Sequence, residues 1–118
     1  MPNLPLLSAA SRLFASAAIW RLVGSAKYGN VLIKQLDSPE ETLRMIAGTL
    51  LTQAGSRSLP LLRDALERQQ NLPMLLTMIG DVGDLDQASL LEHYVTDERT
   101  DVAKAAREAL RVLSSRSK

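Results

Sequence analysis

The chain has 118 residues, of which 46% are hydrophobic, and a formal net charge of +1. It contains no cysteine, which excludes disulfides, thiolate metal ligands and cysteine nucleophiles. A net charge near zero gives no general electrostatic reason to bind nucleic acid or a membrane. The length suits a single domain, and the apolar residues are mostly Leu and Ala, which favour helix over sheet.

Charge is distributed unevenly along the chain. The first 36 residues contain no acidic side chain, whereas the rest contains all 13 acidic residues against ten basic ones. The basic residues of the first segment are Arg12, Arg21, Lys27 and Lys34. The two parts of the chain therefore have opposite sign.

Apolar residues at spacings of three and four predict a first helix over residues 6–23, which Gly24 ends. The segment 4–28 is rich in Ala, Ser and Leu and lacks acids, as transit peptides do. We favour a helix that is a permanent part of the folded domain. The alternative is that residues 1–30 are a removable organelle-targeting segment. No run approaches the roughly 20 apolar residues that span a bilayer.

Two further helices follow in the first half of the chain. A short one is expected from about Gly29 to Leu36. Ser38, Pro39 and Glu41 then match a capping box at the start of a helix that runs to about Ala54. A glycine inside a helix is unfavourable, so Gly48 predicts a close helix crossing.

The second half of the chain reads as four more helices and a polar tail. Prolines fall at two of the proposed helix starts, where a missing N–H does no harm. The predicted helices cover residues 59–69, Asn71 to Gly80–Gly83, 86–95 and 99–113. The tail, residues 114–118, is expected to fray.

The helical pattern recurs with a period of about 30 residues, which is typical of an α-solenoid built from helix pairs. It resembles the HEAT-like repeats of the PBS-lyase type. The segment Ile79–Asp84 has the character of an inter-repeat turn, and Asp97 and Val102 match the family's Asp and Val positions. Arg44 matches its Arg in an earlier copy, whereas Ala103 departs from it in the last.

The resemblance implies an all-α fold, a short α-solenoid of about seven helices arranged in HEAT-like pairs. It would form a single domain over residues 1–118. Its parts are an N-terminal apolar basic helix (6–27), repeats over 28–55, 56–83 and 84–113, and the tail 114–118. Such repeats are scaffolds, so the family implies binding and names no partner.

Catalytic and metal-binding signatures are weak. Asp81, Asp84 and Asp86 lack the ligand spacing of an EF-hand loop. His93 is the only histidine, and a metal or catalytic histidine needs partners that the chain lacks. The sequence therefore predicts no enzyme, no metal and no cofactor.

Four basic residues lie on the predicted second helices of the repeats, which line the concave face in HEAT-like arrays. A solvated surface is the simpler interpretation, because Glu108 and the acidic turns dilute the charge. The concave-face candidates are Arg44, Lys104, Arg107 and Arg111. Nucleic-acid binding is disfavoured, since such a groove also needs aromatic side chains for base stacking.

The N-terminal helix is the sharper functional signal. The acid-free segment that contains it holds three of the four aromatic residues, Phe14, Trp20 and Tyr28. It also lies at an array end, where solenoids need a polar cap. The simplest interpretation is that Phe14 and Trp20 pack on the next repeat. The functional one is docking of a protein partner or a second copy through an apolar surface. The candidate partner-binding residues are Leu13, Phe14, Trp20, Arg21 and Tyr28.

We therefore expect a cytoplasmic, non-enzymatic protein–protein interaction module, an adaptor or small structural subunit. The alternative is a peripheral membrane-associated or organelle-imported subunit that uses the N-terminal helix, although its cations are too few for strong electrostatic binding. A remote alternative is a HEAT-like lyase or DNA glycosylase.

Overall fold

The computed structural model describes residues 4–69 and 71–116, and within these ranges the chain forms seven α-helices, two short 3₁₀ helices and no strand. The expected all-α fold is thus confirmed. The α-helices are α1 (Leu4–Val23), α2 (Ala26–Gln35), α3 (Glu41–Gln53), α4 (Leu59–Glu67), α5 (Leu72–Val82), α6 (Ala88–Glu92) and α7 (Thr100–Arg116). The 3₁₀ helices are Gly55–Ser58 and Leu85–Gln87.

The chain divides into two compact units, Met1–Ala54 and Gly55–Lys118. In the first unit α1 packs against α2 and α3, which also pack against each other. In the second unit α5 packs against α4 and α7, and α6 packs against α7. The boundary between the units falls beside the predicted repeat boundary at residue 55, while a solenoid arrangement of the repeats stays a prediction.

Two glycines end helices by adopting the left-handed conformation expected of them. Gly24 has φ +76° and donates its N–H to the Trp20 carbonyl oxygen at 2.7 Å. Gly55 has φ +63° just after α3. An L-residue rarely adopts this conformation, so both positions favour glycine.

The start of α3 differs from the predicted capping box. Ser38 Oγ does accept the Glu40 N–H, at 3.1 Å, but Glu40 is extended and the helix begins at Glu41. Pro39 therefore precedes the helix instead of opening it. The Arg44 guanidinium holds this turn by donating to the Ser38 carbonyl oxygen at 2.6 Å.

The last helix is longer than predicted. Residues 114–116 belong to α7 and do not fray, whereas residues 117–118 lie outside the described ranges. The Arg116 guanidinium donates to the carbonyl oxygens of Gly80, Asp81 and Gly83, at 2.5, 2.9 and 2.5 Å. It thereby satisfies acceptors that the C-terminal end of α5 leaves without helical partners.

The close helix crossing occurs at Gly80, and the expectation that Gly48 marks one is wrong. A Cβ on Gly80 would lie 2.8 Å from both the Cα and the Cβ of Ala109 on α7. A Cβ on Gly48 would meet nothing closer than Leu36 Cδ2, at 3.9 Å. Two small residues thus let α5 and α7 approach closely in the second unit.

This difference predicts opposite effects of the same substitution. Gly80→Ala should lower the free energy of unfolding by about 1–3 kcal/mol, because the new methyl group overpacks against helix backbone. Gly48→Ala should raise it by up to about 1 kcal/mol, because alanine is the better helix former and has room. Urea denaturation followed by circular dichroism measures both, and a neutral Gly80→Ala would contradict the crossing.

Candidate functional site

The first helix is buried along one side only. Leu13, Ala17 and Trp20 are buried, and their spacing of three and four residues places them on one face of α1. The remaining circumference is also largely apolar but open. Its exposed large apolar residues are Leu7, Phe14, Ile19, Leu22 and Val23.

One open flank of α1 forms a shallow apolar groove with α3, which we call the Phe14 groove. Phe14 is 55% exposed and Met45, which reaches it from α3, is 64% exposed. Among the residues that the structure describes, those lining the groove are all uncharged. Its lining residues are Phe14, Met45, Ile46, Thr49, Leu50 and Gln53.

The Phe14 groove has a volume of about 180 Å³. Pockets for drug-sized ligands usually measure about 300–1,000 Å³, so this groove fits a single large side chain better than a small molecule. A methionine at its rim adapts easily to the shape of whatever fills it. The geometry is that of an acceptor for an apolar side chain.

A larger groove of about 410 Å³ runs between α1 and α2. Of the described residues that line it, Arg12 alone is charged, and the others are small or apolar apart from Ser16 and Gln35. Neither of these two grooves is lined by two ionisable groups among the described residues. The lyase or glycosylase alternative, which needs an acid–base pair, therefore gains no support from them.

The α1–α2 corner, residues 21–27, is the most exposed apolar feature of the first unit. Leu22 is 87% exposed and Val23 is 72% exposed. Arg21 and Lys27 are exposed on either side of them. The Lys27 Nζ lies 5.8 Å from the centre of the Tyr28 ring, within cation–π range.

The predicted partner-binding residues separate into two groups. Leu13 and Trp20 are buried in the first unit, Trp20 being only 6% exposed. Phe14 and Arg21 are exposed, and Tyr28 is half-buried. The side chains that remain accessible to a partner also include residues that the sequence did not single out, among them Leu22, Val23 and Met45. Leu22 does not continue the three- and four-residue spacing of the buried α1 residues, and Met45 does not continue that of the buried α3 residues. This spacing could have identified these two as exposed from the sequence.

The concave-face candidates are mostly engaged in local contacts. Arg44 is in the first unit and binds the Ser38 carbonyl oxygen. Arg107 Nη1 donates to the Val95 carbonyl oxygen at 3.2 Å. Arg111 pairs with Glu108 and lowers the pKa of that carboxyl group. Lys104 is exposed. Their role in a concave groove stays a prediction.

The acidic turn that contains Asp84 and Asp86 caps a short helix. Asp84 Oδ1 accepts the Asp86 N–H at 2.9 Å, and Gln87 Oε1 accepts the Asp84 N–H at 2.7 Å, which caps the 3₁₀ helix before α6. His93 is exposed and lies edge-on to Tyr94, with ring centres 5.3 Å apart. Across residues 4–69 and 71–116, no three potential ligand residues group together as a metal site.

In the described part of the chain, Pro5–Val23 is the one segment long and apolar enough to cross a membrane, judged by length and composition. This corrects the sequence-based expectation that no run approaches that length. Only 17% of this segment is buried within the fold, and a signal sequence or the core helix of a soluble protein can have the same length and composition. Arg12 and Arg21 interrupt its apolar character.

Comparison with protein-family models, curated proteins and solved structures finds no match to this chain. The HEAT-like resemblance therefore rests on the sequence positions that carry it and stays a prediction. Function has to be inferred from the surface of the first unit and from its chemistry.

The Asp97 carboxylate orders the turn before α7 and should titrate abnormally. It accepts the Arg99 Nε at 2.8 Å, Nη2 at 2.9 Å and backbone N–H at 2.9 Å, and these bonds lower its pKa from 3.8 to about 2. Because the pKa is lowered on folding, the pair stabilises the fold above pH ~4 and loses this effect as the pH falls towards 2. NMR titration of Asp97 should show this midpoint, and Arg99→Gln should raise it part of the way to 3.8. An ordinary midpoint in the unmodified protein would contradict the ion pair.

The burial of Trp20 predicts a role in stability. Trp20→Ala should lower the free energy of unfolding by about 3–5 kcal/mol, because it empties a large site in the core. Phe14→Ala, on the open side of the same helix, should cost under about 1 kcal/mol. Urea denaturation followed by circular dichroism distinguishes them, and equal effects would show that Trp20 is not core.

Proposed function

We propose that this chain is a non-enzymatic protein-binding module that docks a protein partner in the Phe14 groove. The observation that carries the proposal is the one-sided burial of α1. The helix contributes Leu13, Ala17 and Trp20 to the core and leaves Phe14 uncovered beside Met45 of α3. Monomeric proteins rarely leave large contiguous apolar surfaces exposed without a use for them.

The arrangement of the groove supports an apolar anchor from the partner. Leu7 and Phe14 are seven residues apart and therefore lie on the same flank of α1. Met45 extends this flank onto α3, within the same compact unit. Protein interfaces concentrate their binding energy where a large apolar side chain fills such a site away from water. An uncharged groove of side-chain size meets that requirement.

The helix pairs support a HEAT-like scaffold as the context for this groove. In the second unit α4 packs against α5 and α6 against α7, which are the pairs expected for repeats 56–83 and 84–113. A repeat scaffold binds through surface rather than through a closed catalytic pocket. We accordingly propose an adaptor or small structural subunit.

The proposal predicts that charge in the Phe14 groove abolishes partner binding without unfolding the protein. Phe14→Glu with Met45→Glu should weaken partner affinity by about 30-fold or more, as expected for a hot spot of about 2 kcal/mol. Both side chains are exposed, so the circular dichroism spectrum should not change. Affinity capture with mass spectrometry identifies proteins lost specifically with this variant, and light scattering after size exclusion reports self-association.

Leu85→Glu is the matched control, because Leu85 is a similarly exposed apolar residue, 53% accessible, in the second unit. It should retain every partner of the unmodified protein. If the groove variant keeps the same partners and the same mass in solution, the Phe14 groove is not a docking site.

A further inference from the structure

The α1–α2 corner has a surface that the Phe14 groove does not explain. Leu22 and Val23 are the two most exposed large apolar residues among those the structure describes. They lie where α1 ends and Gly24 turns the chain towards α2. Neither residue lines the Phe14 groove. They lie at the exposed end of a helix, a position from which side chains can enter the hydrocarbon of a lipid bilayer.

The charged residues of α1 and α2 have a single sign. Arg21 immediately precedes the two apolar residues and Lys27 follows them, with Arg12 and Lys34 further along α1 and α2. No acidic residue occurs before Asp37. Exposed apolar side chains on helices whose charged residues are all basic complement the interface of an anionic bilayer, where phosphate groups lie above hydrocarbon.

Leu85 provides an internal comparison. It is also an exposed leucine, but Asp84 and Asp86 flank it. An anionic lipid surface would repel that site. Leu22 and Leu85 are thus both exposed, but the nearest charged residues in the sequence are basic for Leu22 and acidic for Leu85.

We propose that the α1–α2 corner attaches this protein to an anionic lipid surface, with Leu22 and Val23 entering the interface and Arg21 and Lys27 contacting lipid phosphates. Basic charge alone gives weak binding, and a small apolar anchor alone is also weak, so the two act together. Neutralising one basic side chain at such a surface should reduce partition about fivefold. The attachment is reversible and weakens as salt screens the charges.

The packing of α1 favours attachment by the corner over insertion of the whole helix. Spanning a bilayer would remove Leu13, Ala17 and Trp20 from the core of the first unit. It would also place the Arg12 guanidinium near the hydrocarbon centre, which is strongly unfavourable. The corner can enter the interface while α1 keeps its contacts with α2 and α3.

Vesicle flotation tests the proposal with the full chain. The protein should float with vesicles of phosphatidylcholine and phosphatidylserine, and much less with phosphatidylcholine alone. Leu22→Ser with Val23→Ser should reduce binding to the anionic vesicles by about tenfold or more, since it removes the apolar anchor. Leu85→Ser should have no effect.

The contribution of charge needs its own matched pair. Lys27→Gln should reduce anionic-vesicle binding about fivefold, whereas Lys104→Gln, which removes an exposed cation from α7, should not. Both variants lower the net charge equally. Equal losses would show a non-specific effect of overall charge and would overturn the role of the corner.

The fluorescence of Trp20 distinguishes the two modes of insertion. Trp20 is the only tryptophan and is buried in the first unit. Lipids brominated near the ends of their acyl chains, at the bilayer centre, should leave its emission largely unchanged if the corner alone attaches. Strong quenching would mean that α1 leaves the fold and enters the bilayer, and would overturn the proposal.

Two other results would also overturn it. The first is absence of flotation with anionic vesicles, or flotation that Leu22→Ser with Val23→Ser does not change. The second is that Leu22→Ser with Val23→Ser leaves vesicle binding intact but abolishes binding of a protein partner in the absence of lipid. That result would make the corner a protein-docking site. Because the Phe14 groove is tested without lipid and by different substitutions, either proposal can fail alone.

Discussion

A helix that is apolar around most of its circumference cannot be covered by two neighbouring helices. This constraint shapes the first unit: α1 buries one row of residues against α2 and α3 and leaves the rest open. Burial of that row holds the helix in place, since each large side chain removed from water contributes about 1.5–3 kcal/mol. The open remainder is the source of both proposed attachment surfaces.

The longest helix of the second unit differs from α1 in having a single apolar face. This helix, α7, presents Ala106 and Ala109 inward and charged residues outward, so one apolar face suffices. Gly80 lets α5 approach this face closely, and Arg116 satisfies carbonyl groups at the end of α5. These contacts engage the facing surfaces of α5 and α7 and the C-terminal end of α5 within the second unit.

Some features of the fold could be predicted because their cause is local. Gly24 and Gly55 end helices through their own backbone conformation, and Asp97 orders a turn through bonds to a residue two positions away. The prediction of a close helix crossing at Gly48 was wrong, because the sequence around a helical glycine does not show whether another helix crosses there. Gly80 received no such prediction, although Ala109 lies against it from 29 residues further along the chain.

The sequence by itself determined the all-α class, the seven helices in the described ranges and the presence of an unusual apolar, basic N-terminal helix. These follow from periodicity, turn residues and charge, which act over one or two helical turns. Only the tertiary structure decided which side of α1 is buried, because composition around that helix is nearly uniform. That decision assigned Trp20 to the core and left Phe14, Leu22 and Val23 to the surface.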